Sequence, residues 1–107
     1  MNYLENEARR IRLSVEAHSG NSSNKSDDDL LFLVYALLAR VKGAHTSLAD
    51  VHDAWSVWMS TIDPSHPSLV PFAELSAETQ AEDEPYLRAI LQSQAESARQ
   101  LPISLGN

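Results

Sequence analysis

The sequence predicts a compact all-α domain, a bundle of about four helices with a proline-rich extended segment between helices 3 and 4. Apolar residues recur at spacings of three and four in four stretches, as the buried face of a helix requires. No stretch of useful length shows the period-two alternation of a strand. Three of the five prolines, Pro64, Pro67 and Pro71, fall in one short segment, where proline prevents a helix.

The composition indicates one ordered domain. The chain has 107 residues, too few for two cores. Hydrophobic residues make up 43% and charged residues 21%, a balance typical of globular rather than disordered chains. Without cysteine, neither a disulfide nor a thiolate metal site is available. The N-terminal residues lack a signal-peptide pattern, and no apolar run approaches the roughly 20 residues of a membrane span. We therefore expect a cytoplasmic protein without a membrane partner.

The net charge of −7 is unevenly distributed. Residues 1–42 carry six basic and six acidic side chains, whereas residues 43–107 carry two basic and nine acidic ones. Nucleic-acid binding requires clustered Lys and Arg to neutralise phosphates. We therefore do not expect a nucleic-acid partner.

Helix 1 is expected over about residues 3–17. Asn2 and Glu5 have the spacing of a capping box. The apolar stripe that follows consists of Leu4, Ala8, Ile11 and Val15. Three arginines lie mostly off this stripe, and the simplest interpretation is a solvated face, with an anion-binding arm as the alternative. They are Arg9, Arg10 and Arg12.

Helix 2 is expected to be the central helix. Asp27, Asp28 and Asp29 at its start, with basic residues at its end, complement the helix dipole, and Gly43 provides a C-terminal stop. Residues 30–41 are apolar nearly all round, which predicts burial on most faces.

Helix 3 begins at an approximate capping box, Ser47 and Asp50, has Trp55 as its surest core residue and ends before Pro64. A short helical turn follows at residues 77–82, and helix 4 runs from Pro85 to about residue 99. The predicted organisation is an N-terminal helix at 1–18, a flexible polar loop at 19–26, a helical domain at 27–100 and a frayed tail at 101–107.

Three sequence elements follow one another in a recognisable order. They are His52-Asp53-Ala54-Trp55, then His66-Pro67-Ser68-Leu69-Val70-Pro71-Phe72-Ala73-Glu74-Leu75, and then Asp83. Over about residues 45–95 this pattern resembles the RyR domain, the small helical repeat of ryanodine receptors that also occurs in bacterial and phage proteins. The Gly-Trp-x-Tyr-Gly stretch that often precedes His-Pro in that family is missing, and Gln80 stands where lysine is usual.

The resemblance implies a function as well as a fold. A short single-domain form looks phage-encoded, acting in the host cytoplasm. It would bind a nucleotide-derived immune signal, such as an NAD or ADP-ribose derivative or a cyclic nucleotide, and sequester it. The alternative is an acidic helical protein-interaction module that inhibits or adapts a host protein.

A nucleotide site requires aromatic platforms for the base and donors for the phosphates. The candidate ligand-binding residues are Tyr35, Trp55, Trp58, Phe72 and Tyr86 for stacking, Arg40, Lys42 and Arg88 as cations, and His52 and His66 as donors. Both histidines also have structural interpretations. His52 could pack beside Trp55, and His66 could fix the turn before Pro67 through a backbone hydrogen bond.

No catalysis is expected. The sequence contains no nucleophile elbow and no glycine-rich phosphate loop, and its histidines lack a recurring metal-ligand spacing. We expect neither a metal nor a cofactor. The apolar helices exceed what so small a domain can easily cover, so we expect a homo-oligomer.

Overall fold

The computed structural model describes residues 2–19 and 25–100 and confirms the all-α fold class. It contains four helices of at least three turns and one five-residue helix. They are α1 Tyr3–Ser19, α2 Lys25–Val41, α3 Leu48–Ser60, α4 Ala77–Ala81 and α5 Glu84–Gln100. Two single-turn 3-10 helices, Gly43–His45 and Phe72–Glu74, complete the elements, and the described residues include no strand. The predicted tail and the middle of the predicted loop, residues 20–24, lie outside the described residues.

Helix α2 lies at the centre of the bundle, as expected. It contacts α1, α3 and α5, and α1 also packs against α5. Phe32 and Tyr35 of α2 are the largest fully buried side chains, and Ile11 of α1 and Ile90 of α5 are completely buried beside them. The remaining buried apolar residues are Ala8, Val15, Leu31, Ala36, Ala39, Val51, Ala54 and Ala89.

The helix ends follow the local signals in the sequence. The main-chain N–H of Glu5 donates to Asn2 Oδ1 and that of Asn2 to Glu5 Oε1, both at 2.9 Å. Ser47 and Asp50 form the second capping box, at 2.9 and 3.2 Å. After α2, Gly43 has a φ of +54°, a left-handed conformation that glycine adopts without strain.

Helix α2 is buried on most faces, as the sequence predicted, but one face is exposed. Leu30, Leu37 and Val41 on that face are 49, 52 and 71% exposed. Helices α1, α3 and α5 cover α2 on three sides and leave its outer face open. These three residues are called the α2 stripe below.

None of the described helices is both long and apolar enough to cross a membrane.

Candidate functional site

A buried carboxylate joins three helices. Glu7 of α1 is only 1% exposed and accepts a hydrogen bond from Arg40 Nε at 2.7 Å. Its second oxygen accepts from Ser93 Oγ at 2.8 Å and Ser97 Oγ at 3.3 Å, both on α5. Because Arg40 belongs to α2, this one side chain ties α1, α2 and α5 together. Glu7 is not among the residues that the sequence pattern pointed to, although its spacing from Leu4 and Ile11 places it on the apolar stripe of helix 1.

His52 bonds the proline-rich segment, residues 61–76 between α3 and α4, to α3. Its side chain is buried, and Nε2 donates to the carbonyl oxygen of Val70 at 2.7 Å. The Trp55 indole stacks on the imidazole with ring centres 5.6 Å apart, and the edge of His66 meets the same indole at 5.1 Å. His66 Nδ1 accepts from the main-chain N–H of Ser68 at 3.0 Å. Both histidines therefore make the contacts of their structural interpretations.

The far end of the proline-rich segment is held by α4. Gln80 Nε2 donates to the carbonyl oxygens of Phe72 at 2.9 Å and Leu75 at 3.3 Å. The Phe72 ring lies 6.2 Å from that of His52. Phe72 is thus half-buried as an anchor of the segment.

Beneath this segment the aromatic candidates belong to the core. Tyr35 is 1% exposed, and its ring lies 5.6 Å from that of Tyr86. Burial raises the pKa of Tyr35 well above its ordinary value, and the nearby Asp83 carboxylate raises it further. Burial also raises the pKa of Asp83, against the opposing attraction of His52. Trp58 is half-buried against the same core.

Each of the three candidate cations already contacts a carboxylate. Arg40 bonds Glu7, Lys42 Nζ lies 3.1 Å from Asp50 and Arg88 lies 3.2 Å from Glu84. The ten candidate residues are therefore spread over the core, the contact between α3 and the proline-rich segment, the bonds of the buried Glu7 and two surface ion pairs. Neither the cavity between α1 and α2 nor the smaller one between α1 and α5 is lined by any of them.

A cavity lies instead in the groove between α1 and α2. Its volume is about 540 Å³, and its lining residues are Glu5, Ala8, Arg9, Arg12, Leu13, Glu16, Asp29, Phe32 and Leu33. Arg12 bonds Asp29 at 2.8 Å, and its guanidinium lies 4.5 Å from the Phe32 ring centre. Its side chain is only 11% exposed, so the expected solvated face is wrong for Arg12.

Residues 43–83, whose exposed side chains are called the acidic surface below, are strongly acidic. They include seven Asp and Glu residues and no Lys or Arg. The exposed carboxylates among them are Asp53, Asp63, Glu74, Glu78 and Glu82. Val57 and Ile62, in the same stretch of sequence, are 59 and 55% exposed. The acidic surface therefore combines negative charge with two apolar contacts.

A family model described as Domain of unknown function (DUF7701) matches residues 2–95. The chain belongs to the DUF7701 family. No curated protein and no solved structure matches it. The DUF7701 match covers the residues that suggested the RyR domain, and no RyR-domain family is found, so that resemblance is wrong. The phage origin and immune role that it implied have no other support.

In this DUF7701 protein, the contacts around the proline-rich segment indicate that the histidines and Trp55 of the sequence motif hold that segment in place. His52, Trp55 and His66 hold that segment on α3. The DUF7701 match also includes Glu7, the α2 stripe and the acidic surface.

Proposed function

We propose that this DUF7701 protein is a non-catalytic protein-interaction module of the cytoplasm, and that its acidic surface binds a basic, partly apolar protein segment. One observation carries the proposal. From Gly43 to Asp83 the chain has seven carboxylates and no cationic side chain of its own, while Val57 and Ile62 remain exposed.

Charge complementarity favours a basic partner. Like-signed carboxylates without interspersed cations attract Lys and Arg and accelerate encounter. Of the seven carboxylates, Asp50 contacts Lys42 from outside the surface. The apolar pair supplies the contact area that charge alone cannot, because charged side chains at an interface set partner choice more than affinity.

The test uses a defined probe. We would titrate an amphipathic peptide of alternating lysine and leucine and measure binding by calorimetry at low and high salt. We expect binding that weakens steeply with salt, since exposed charges are screened. A peptide with glutamate in place of lysine should not bind.

A matched pair of variants locates the interaction. Asp53→Asn and Asn6→Lys each raise the net charge by one, but only the first changes the acidic surface, because Asn6 is exposed on α1. Asp53→Asn and Val57→Ser should each weaken binding, and Asn6→Lys should not. Equal losses from Asp53→Asn and Asn6→Lys would mean nonspecific attraction to an acidic protein and would overturn the proposal.

A second candidate function is sequestration of a nucleotide-derived ligand, and the groove between α1 and α2 favours it. The volume of about 540 Å³ suits a small ligand. Phe32 and Leu33 form an apolar wall, and Arg9 and Arg12 line it as cations. Arg12 would have to exchange its bond to Asp29 for a phosphate.

A thermal-shift series with NAD, ADP-ribose and cyclic nucleotides tests this second candidate. A ligand at 100 times its dissociation constant adds about 2.7 kcal/mol of stability. Arg9→Gln should abolish the shift and Arg88→Gln, on the surface of α5, should preserve it. The absence of a shift across the series would exclude this candidate and leave the interaction module.

A further inference from the structure

The α2 stripe is an apolar surface where a bundle helix ordinarily carries charge. Leu30, Leu37 and Val41 lie within about 40° of one another around the helix, at about 100° per residue. They point away from the core, which Phe32 and Tyr35 fill. An outer helix face is ordinarily polar, and a helix that is apolar all round is ordinarily covered. The outer face of α2 therefore has the composition of a covered surface.

The apolar surface extends from α2 onto α1. Leu33 and Leu13 line the groove beside the stripe, and Leu13 is 54% exposed. An α2 of 17 residues is about 25 Å long. A specific interface buries about 800 Å² on each partner, so a dimer contact along this length would also have to include α1.

The charges at the two ends of α2 indicate what covers it. The first turns contain Asp27, Asp28 and Asp29, and Arg40 and Lys42 lie at the opposite end. The side chains of Asp29, Arg40 and Lys42 are 71, 39 and 44% exposed, although each also contacts a partner in its own chain. A second α2 packed antiparallel would place acidic ends beside basic ends twice, and a parallel one would place like charges together. Antiparallel helix dipoles favour the same arrangement.

We propose that the protein forms a homodimer in which the α2 stripes of two copies pack antiparallel about a two-fold axis. In this pairing Leu30 lies opposite Val41 of the second copy. Leu37 lies near the axis, next to its own symmetry mate. The interface is isologous and closes, so assembly stops at two chains. This surface is separate from the acidic surface, and the inference goes beyond the proposed function.

The position of Leu37 near the axis provides a test that does not depend on loss of folding. Leu37→Lys and Leu37→Glu put an exposed, helix-favouring side chain at a half-exposed position. In each variant alone, two like charges meet at the axis. When the two variants are mixed, opposite charges meet. Mass is measured by light scattering at micromolar concentration, with helicity checked by circular dichroism.

We expect the unaltered protein to have twice the monomer mass of 11.8 kDa. Each Leu37 variant should fall to the monomer mass, and their mixture should return to the dimer mass. Val57→Lys, an equally exposed apolar-to-lysine change on α3, should leave the dimer intact. A monomeric unaltered protein, an assembly larger than a dimer, or a dimer that survives Leu37→Lys would each overturn the proposal.

Discussion

At the scale of single residues, Glu7 links three helices of the bundle. It is 1% exposed and bonded to Arg40, Ser93 and Ser97. Removing one member of a buried charge network leaves the remaining groups without their partner in a poorly solvated place. Glu7→Ala should therefore lower the free energy of unfolding by about 3 to 5 kcal/mol, measured by urea denaturation.

Glu96→Gln is the control for Glu7. The Glu96 side chain is 37% exposed and lies 4.0 Å from Arg10. Its substitution should change stability by less than about 0.5 kcal/mol. If Glu7→Ala lowered the free energy of unfolding no more than Glu96→Gln does, the buried network would not stabilise the packing of the three helices.

The raised pKa of Asp83 makes the free energy of unfolding depend on pH. Burial raises the pKa of Asp83, so the folded protein holds this proton more tightly than the unfolded chain does. Stability is therefore favoured while the carboxyl is protonated and falls as pH rises through the folded pKa. Asp83→Asn removes this pH-dependent loss of stability. Asparagine suits the position before a helix as well as aspartate does.

Denaturation of Asp83→Asn over a range of pH checks the sign. The variant should be more stable than the unaltered protein at neutral pH. The difference should disappear below about pH 3, where aspartate, with an ordinary pKa of about 3.9, is protonated in both states. A variant that is less stable at neutral pH would mean that the attraction of His52 outweighs burial.

At the scale of elements, the proline-rich segment depends on α3. The carbonyl of Val70 is bonded by the buried His52, and the ring of Trp55 covers that contact. His52→Ala leaves this carbonyl without its donor, at a cost of about 1 to 3 kcal/mol. Hydrogen exchange should accelerate at the amides of Leu69 and Leu75, which are bonded within the segment, while α1 and α2 stay protected.

His45→Ala is the matched control for this element. Its side chain is exposed in the 3-10 turn after α2. Exchange in the proline-rich segment should be the same as in the unaltered protein. Slow exchange in the segment of His52→Ala would show that α4 alone holds it, through Gln80.

The helix ends were predictable because their causes are local. The boxes at Asn2 and Ser47 and the glycine stop at Gly43 each depend on residues within a few positions. The burial of Arg12 was not predictable, because it depends on Asp29 and Phe32 of another helix. Arginine can cover an apolar ring with its guanidinium and still bond a carboxylate, and helical periodicity does not show such a contact.

At the scale of the whole molecule, the sequence predicted the class and the central helix but not the open face of α2. A helix that is apolar all round is ordinarily covered, but this pattern does not show whether the same chain covers every face of the helix. The candidate site was less predictable. His52, Trp55 and His66 pack around one proline-rich segment, and a pattern of residue types cannot separate that role from ligand binding.

The charge distribution of the whole molecule predicts that salt stabilises it. Residues 43–83 hold seven acidic side chains without Lys or Arg, and their mutual repulsion opposes the folded state. Screening shortens the range of this repulsion from about 30 Å at 0.01 M salt to about 8 Å at 0.15 M. Raising sodium chloride over this range should increase the free energy of unfolding in urea by about 0.5 to 1 kcal/mol, the scale of exposed charge interactions.

Neutralising part of the acidic surface tests the cause of that salt effect. The double variant Glu78→Gln, Glu82→Gln removes two exposed carboxylates of the surface and should reduce the response to salt. Screening also weakens attractive pairs such as Lys42 with Asp50, but exposed pairs contribute little. If salt instead destabilised the protein, attraction in its ion pairs would exceed the repulsion within the acidic surface. The surface would then not hold the excess negative potential that a basic partner requires.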